Sequence, residues 1–154
     1  MNHPTVRIAI AAALAASCSV ALIAVADAAR PKKSKFIVES KLSGKKVVQN
    51  GDPNARGDAS LTFKKKKDRV CFDITYERMA TATKGILGEG AKHEVGDDVL
   101  TLFTLSEPSP AKGCIRALSK KDVRAIEKDP KDYFVTLEDK KHPDGAIRGQ
   151  LRHD

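Results

Sequence analysis

Two cysteines, Cys71 and Cys114, are the residues outside the N-terminal stretch best suited to covalent chemistry. Neither belongs to a C-x-x-C pair, the arrangement that lowers a thiol's pKa for redox exchange, so dithiol catalysis is not indicated. An even pair in an exported chain points to a disulfide, with two buried free thiols as the alternative. Such a bridge closes a loop of about 44 residues and is worth roughly 4 kcal/mol at most in a chain-entropy estimate. His93, His142 and His153 stand singly, in polar loops or the tail. No spacing among them sets two on one face at ligand distance, so they are read as solvated, and no metal or cofactor is expected. The acidic pairs Asp97–Asp98 and Glu138–Asp139 fall in turns, where solvation accounts for them better than acid–base work. No nucleophile elbow and no Ser/His/acid set is legible, so no catalytic residue is assigned.

The remaining chemistry is charge. Lys and Arg total 28 against 20 Asp and Glu, a formal net charge of +8. The excess is bunched in "RPKK" (30–33), "KKKK" (64–67), "KK" (120–121) and "KK" (140–141). Lys64, Lys65, Lys66, Lys67, Lys140 and Lys141 are therefore candidate contacts for an anionic polysaccharide or membrane surface. No aromatic residues interleave with them as stacking platforms, which argues against specific nucleic-acid binding. The plainer account is that lysines at hairpin tips keep a sheet soluble and block edge pairing.

These groups need elements to carry them. Residues 1–28 read as a secretory signal peptide: basic "MNHPTVR", an uncharged apolar run over 8–26, then the small residues Ala26 and Ala28. Cleavage is expected after Ala28 or Ala29, an uncleaved anchor being the alternative, and Cys18 lacks the context of a lipoprotein site. Residues 29–35 form a basic lead-in, and 36–154 form one domain of a size that supports a single core. "KFIVESKL" (35–42) alternates, with Phe36, Val38, Ser40 and Leu42 on one face. "DASLTFKK" (58–65) and "RVCFDITYE" (69–77) alternate likewise around a charged hairpin tip, after a turn-rich loop over 50–58. Period two puts Cys71 on the outer face, so a bridge to Cys114 is expected to pin a 106–117 loop across the outside of the sheet. Residues 78–98, rich in glycine, read as a long loop with at most one helical turn. "VLTLFTL" (99–105) reads as a strand buried on both sides. "SKKDVRAIEKDP" (119–130) is the single helical signal, capped by Ser119 and ended by Pro130. "DYFVTLE" (132–138) and "AIRGQL" (146–151) read as the last two strands. The sum is an all-β, antiparallel, Greek-key-like β-sandwich with one short helix.

In the final strand Ile147, Gly149 and Leu151 share the inner face, and Ala146, Arg148 and Gln150 share the outer. The planar fork of Arg148 suits a carboxylate or the carbonyls of an adjacent loop. Gly149 lets a neighbour approach closely, and "HPDG" before the strand is a turn built on Pro143 and Gly145. This hairpin, "DPKDYFVTLEDKKHPDGAIRGQL" (129–151), together with "KLSGKKVVQNGDPNARGDASLTF" (41–63), resembles the CHRD domain, the module named after chordin. "VCFDITY" (70–76) and "KGCIRALSKKDVRAIEKDP" (112–130) resemble bacterial members with a cysteine pair. The resemblance covers about 36–151 and implies an extracytoplasmic, non-enzymatic module that binds a protein or matrix component. Relatives often carry histidines after the third strand and before the last turn. Here those stretches read "ATKGILGEG" (82–90) and "VTLEDKK" (135–141), with none, so a role resting on them is not expected in this chain.

Overall fold

The computed structural model describes residues 34–116 and 118–154. The expected signal peptide and nearly all of the basic lead-in lie outside the described residues. Among the described residues nine strands and one α-helix follow in order: β1 (Lys35–Ser43), β2 (Arg56–Lys64), β3 (Arg69–Glu77), β4 (Lys84–Glu89), β5 (Asp97–Phe103), β6 (Ala111–Arg116), α1 (Lys120–Lys128), β7 (Tyr133–Glu138), β8 (Ile147–Gln150) and β9 (Arg152–His153). The fold is all-β, antiparallel, with one short helix. The sheet order is β5-β4-β7-β8-β1-β2-β3-β6, with the short β9 also on β1.

That order requires curvature. In a flat sheet β5 and β6, at opposite edges, would stand about 34 Å apart at strand spacings of about 4.8 Å. The link from Phe103 to Ala111 can span about 28 Å at full extension. The sheet therefore curls until its two halves face each other as layers around one core. Phe72 of β3 meets Phe103 of β5 with ring centroids 5.8 Å apart. Beside them an isolated bridge pairs Ala82 with Glu107. The Tyr76 hydroxyl fastens this seam, donating to the Glu107 carbonyl and accepting from the Ala82 amide at 3.0 Å.

Alternation in β1, β2 and β3 places Val38, Leu61, Phe63, Val70 and Ile74 inside, each at most 3 % exposed. Phe36 stacks on Phe63 across the β1–β2 pair, 4.6 Å between centroids. β7 is buried at every position from Tyr133 to Leu137, because one face joins the core and the other lies under a loop described below. α1 has the expected cap: Ser119 Oγ accepts from the Asp122 amide, and Ile126 is fully buried.

Four expectations need correction. Residues 78–98 are not one loop, since 84–89 form β4, a strand between β5 and β7. Its glycines look like turn formers, but aromatic rings occupy the space a side chain would take. A Cβ at Gly85 would lie 2.4 Å from the Phe103 ring, and one at Gly88 2.2 Å from the Phe134 ring. Glycines paired with cross-strand aromatics are compatible with a sheet interior. Second, the loop expected over 106–117 is only partly loop, because 111–116 form the edge strand β6 against β3. Cys71 does face outward, yet its disulfide to Cys114 (S–S 2.08 Å) joins directly opposed residues of neighbouring strands rather than strapping a loop over the sheet. Third, β5 is an edge strand with one buried face: Leu100 and Leu102 are inside, Thr101 is exposed, and Leu105 beyond its end is 74 % exposed. A continuous apolar run marks burial on both sides only when a partner exists for each face. Fourth, β2 begins at Arg56, so the loop expected over 50–58 gives way to strand before its predicted end.

Candidate functional site

The last hairpin holds a heavily engaged polar side chain, Arg148. Arg148 is 4 % exposed. Its Nη1 donates to the carbonyls of Glu94 and Val95, the latter at 3.0 Å, and its Nη2 to that of Ala91 at 3.3 Å. Its guanidinium lies over the Phe134 ring. Burial pulls the guanidinium below the usual arginine range, and the charge of Glu94 opposes that shift. Gln150, next on the same face, donates to the carbonyls of Gly90 at 2.8 Å and Lys131 at 2.9 Å. Residues 90–96 are thus held by their carbonyls while the side chains of Lys92, His93 and Glu94 remain in solvent. Gly149 permits the geometry from the other face, where a Cβ would stand 2.3 Å from both the Lys41 carbonyl and Ser40 Oγ.

Pinning that loop brings separate cations together. Lys41, Lys46, Lys92, His93, Gln150 and Arg152 line a depression of about 190 Å³. The Lys46 ammonium donates to the Lys41 carbonyl. It is held below the ordinary lysine range, by burial first and then by the charges of Lys92 and Arg152, with Asp58 opposing. Lys41 pairs with Asp58, and Arg152 reaches Glu39 at 3.5 Å. Lys46 and Lys92 make no ion pair among the described residues. Four separated segments supply this cluster, so no run in the sequence announces it.

The lysines singled out from the sequence lie elsewhere, in two places. Lys64 ends β2 and Lys65–Lys67 form the 3₁₀ turn of the β2–β3 hairpin, level with the start of β1 through the Lys65 amide to Ser34 carbonyl bond. Lys140 and Lys141 sit exposed on the β7–β8 turn, beyond the other end of β1, where Ser43 pairs with Arg148. Lys65 is committed to Glu127 at 2.5 Å and lies 5.4 Å from the Phe36 ring centroid. The two lysine groups therefore lie at opposite ends of β1.

A family model described as the CHRD domain matches residues 38–151. The chain belongs to the CHRD domain family. No curated protein and no solved structure matches it. In this CHRD domain the two stretches without the relatives' histidines are neighbours: β4 pairs with β7, Lys84 opposite Glu138 and Ile86 opposite Thr136. Lys84 reaches Glu138 and Asp98, each at 3.5 Å. Lys84 thus forms ion pairs here, and neither stretch holds an imidazole.

The turn of the CHRD hairpin corrects one further expectation. Asp139 is not a solvated carboxylate but is 2 % exposed. Its Oδ1 accepts from the amides of Lys141 and His142, both at 2.8 Å, and faces His142 Nδ1 at 3.0 Å. An aspartate that closes its own turn in this way spends its charge on the backbone. Gly145 follows with φ +121°, and the Ala146 carbonyl accepts from the Asp52 amide at 2.9 Å, which ties the turn to the "GDP" loop. Pro143 is exposed and Ile147 is fully buried. His93 stands in the exposed loop at φ +71°, and His153 belongs to β9 opposite Val38 rather than to a free tail. Among the described residues no group of three or more His, Cys, Asp or Glu side chains converges as a metal site.

Proposed function

We propose that this CHRD-domain protein is an exported, non-enzymatic interaction module that binds an anionic polysaccharide of the surrounding matrix. The observation that carries this reading is the convergence of Lys46, Lys92, His93 and Arg152 on one depression, with a lysine whose charge is already crowded by its neighbours. A cluster of like charges is a standing cost to the folded chain that a polyanion relieves. Two further features support export: a leader-like N-terminus and a disulfide, a bond that persists in oxidising compartments. No Phe, Tyr or Trp lines the cluster, so the broad stacking platforms of single-strand binding proteins are missing from it.

The test is retention on a sulfated or carboxylated polysaccharide matrix under a salt gradient. Wild-type protein is expected to elute late, and Lys46→Gln/Lys92→Gln earlier. Equal elution of the two would remove this reading. Sequencing the N-terminus of protein recovered from outside the cytoplasm tests export, with a start at Ala29 or Arg30 expected.

A further inference from the structure

A second concavity, distinct from the cation cluster above, lies between α1 and the β2–β3 hairpin. Its volume is about 210 Å³. Its floor is apolar: Phe63 and Val70, both essentially buried in the core, with Leu118 and Val123 half-buried beside them. Lys64, Arg69, Lys120 and Arg124 stand around the rim, with Asp68 as the acid among the lining residues. None of these four cations makes an ion pair among the described residues. Lys65, also at the rim, is neutralised by Glu127 and cross-links the hairpin to α1, which holds the two walls in place.

Apolar floor and unneutralised cationic rim specify an occupant with two parts. The half-buried Leu118 and Val123 of the floor gain by losing contact with water, with Phe63 and Val70 supplying packing contacts, and the rim gains by meeting one negative group. Size narrows the choice. Apolar cavities of about 150 Å³ accept a single benzene ring, whereas drug-sized ligands need roughly 300 Å³ or more. We propose that this cleft binds a compact amphipathic anion: one aromatic ring or short alkyl chain carrying a single carboxylate, sulfonate or phosphate. The ring or chain rests on Phe63, Val70, Leu118 and Val123, and the anionic group meets Arg69 and Arg124. The cleft shares no residue with the depression lined by Lys46, Lys92, His93 and Arg152, so either proposal can fail without the other.

Titration of the purified protein with benzenesulfonate, one ring with one anionic group, read by calorimetry, tests this. One saturable site is expected, emptied by octanoate and left occupied by equal concentrations of octan-1-ol or acetate. Val123→Asp places a carboxylate on the floor and is expected to weaken the probe about tenfold or more, since it adds repulsion and a polar group to an apolar contact. Arg69→Gln/Arg124→Gln changes only exposed rim residues, and a loss of about three- to tenfold is expected from charge alone. Lys46→Gln/Lys92→Gln is expected to bind the probe as wild type does. Absence of a saturable site, equal displacement by octan-1-ol and octanoate, or wild-type affinity in a folded Arg69→Gln/Arg124→Gln protein would each overturn the proposal. So would sedimentation showing that a second copy of the chain covers the cleft.

Discussion

The guanidinium carbon of Arg148 lies 3.5 Å from the centroid of the Phe134 ring. The same planar group donates outward to three carbonyls of residues 90–96. One side chain therefore joins the sheet to the loop that presents Lys92 and His93. Arg148→Ala is expected to cost about 1–3 kcal/mol, because three loop carbonyls lose a charged donor and the Phe134 ring loses its cation. Arg148→Lys keeps the charge but not the fork, and about half that loss is expected. Urea unfolding gives the magnitudes. Amide exchange over 90–96 should accelerate in both variants, and an unchanged exchange pattern would show that Gln150 alone secures the loop.

The Cys71–Cys114 bridge joins β3 to the edge strand β6 in register. Cys71→Ser/Cys114→Ser is expected to lose about 3 kcal/mol, mainly through a less restricted unfolded chain. Exchange should rise first in Ala111–Arg116, which has a partner on one side only. Thiol titration of the folded, unreduced protein should find neither cysteine reactive, and reactive Cys71 and Cys114 would contradict the bridge.

Gly149 of β8 packs against Ser40 and Lys41 of β1. Gly149→Ala is expected to destabilise by about 2–3 kcal/mol, since the added carbon meets the Lys41 carbonyl, which cannot swing aside as a side chain can. Ser40 Oγ is buried without a hydrogen-bond partner among the described residues. Ser40→Ala should therefore be close to neutral. The double variant should recover only a part of the Gly149→Ala loss, because the backbone clash remains. Full recovery in urea melts would place the clash at Ser40 alone.

Polysaccharide binding should carry the pH signature of Lys46. Its folded-state pKa is lowered by burial, then by Lys92 and Arg152. The folded state thus bears a penalty at neutral pH, where Lys46 is charged, and sheds it as the pH climbs through the folded and then the unfolded pKa. A bound polyanion favours the charged form and raises that pKa, so binding should take up protons at moderately alkaline pH. Retention is expected to weaken there before ordinary lysines titrate, and Lys46→Gln should abolish that early loss. Coincident pH profiles for the two proteins would exclude Lys46 from the contact.

Much of the fold was legible because a period of two is a local property. β1, β3 and α1 with its Ser119 cap follow from neighbouring residues, and so does the outward direction of Cys71 and Arg148. The family, too, was visible in the hairpin and in "GDPNARG". What a residue meets beyond its own strand is not local. Gly85 and Gly88 became strand because Phe103 and Phe134 arrive from neighbouring strands to cover them. Ala111–Arg116 became an edge strand because β3 offered an unpaired side. Asp139 was buried by closing its own turn, and the cation cluster exists because Arg148 draws residues 90–96 down beside Lys46 and Arg152. The chain alone determined the alternation, the helix cap, the turn chemistry and the cysteine pair. Tertiary structure decided which strands are edges and which charges meet, since both depend on long-range pairing across a curled sheet that no window of sequence contains.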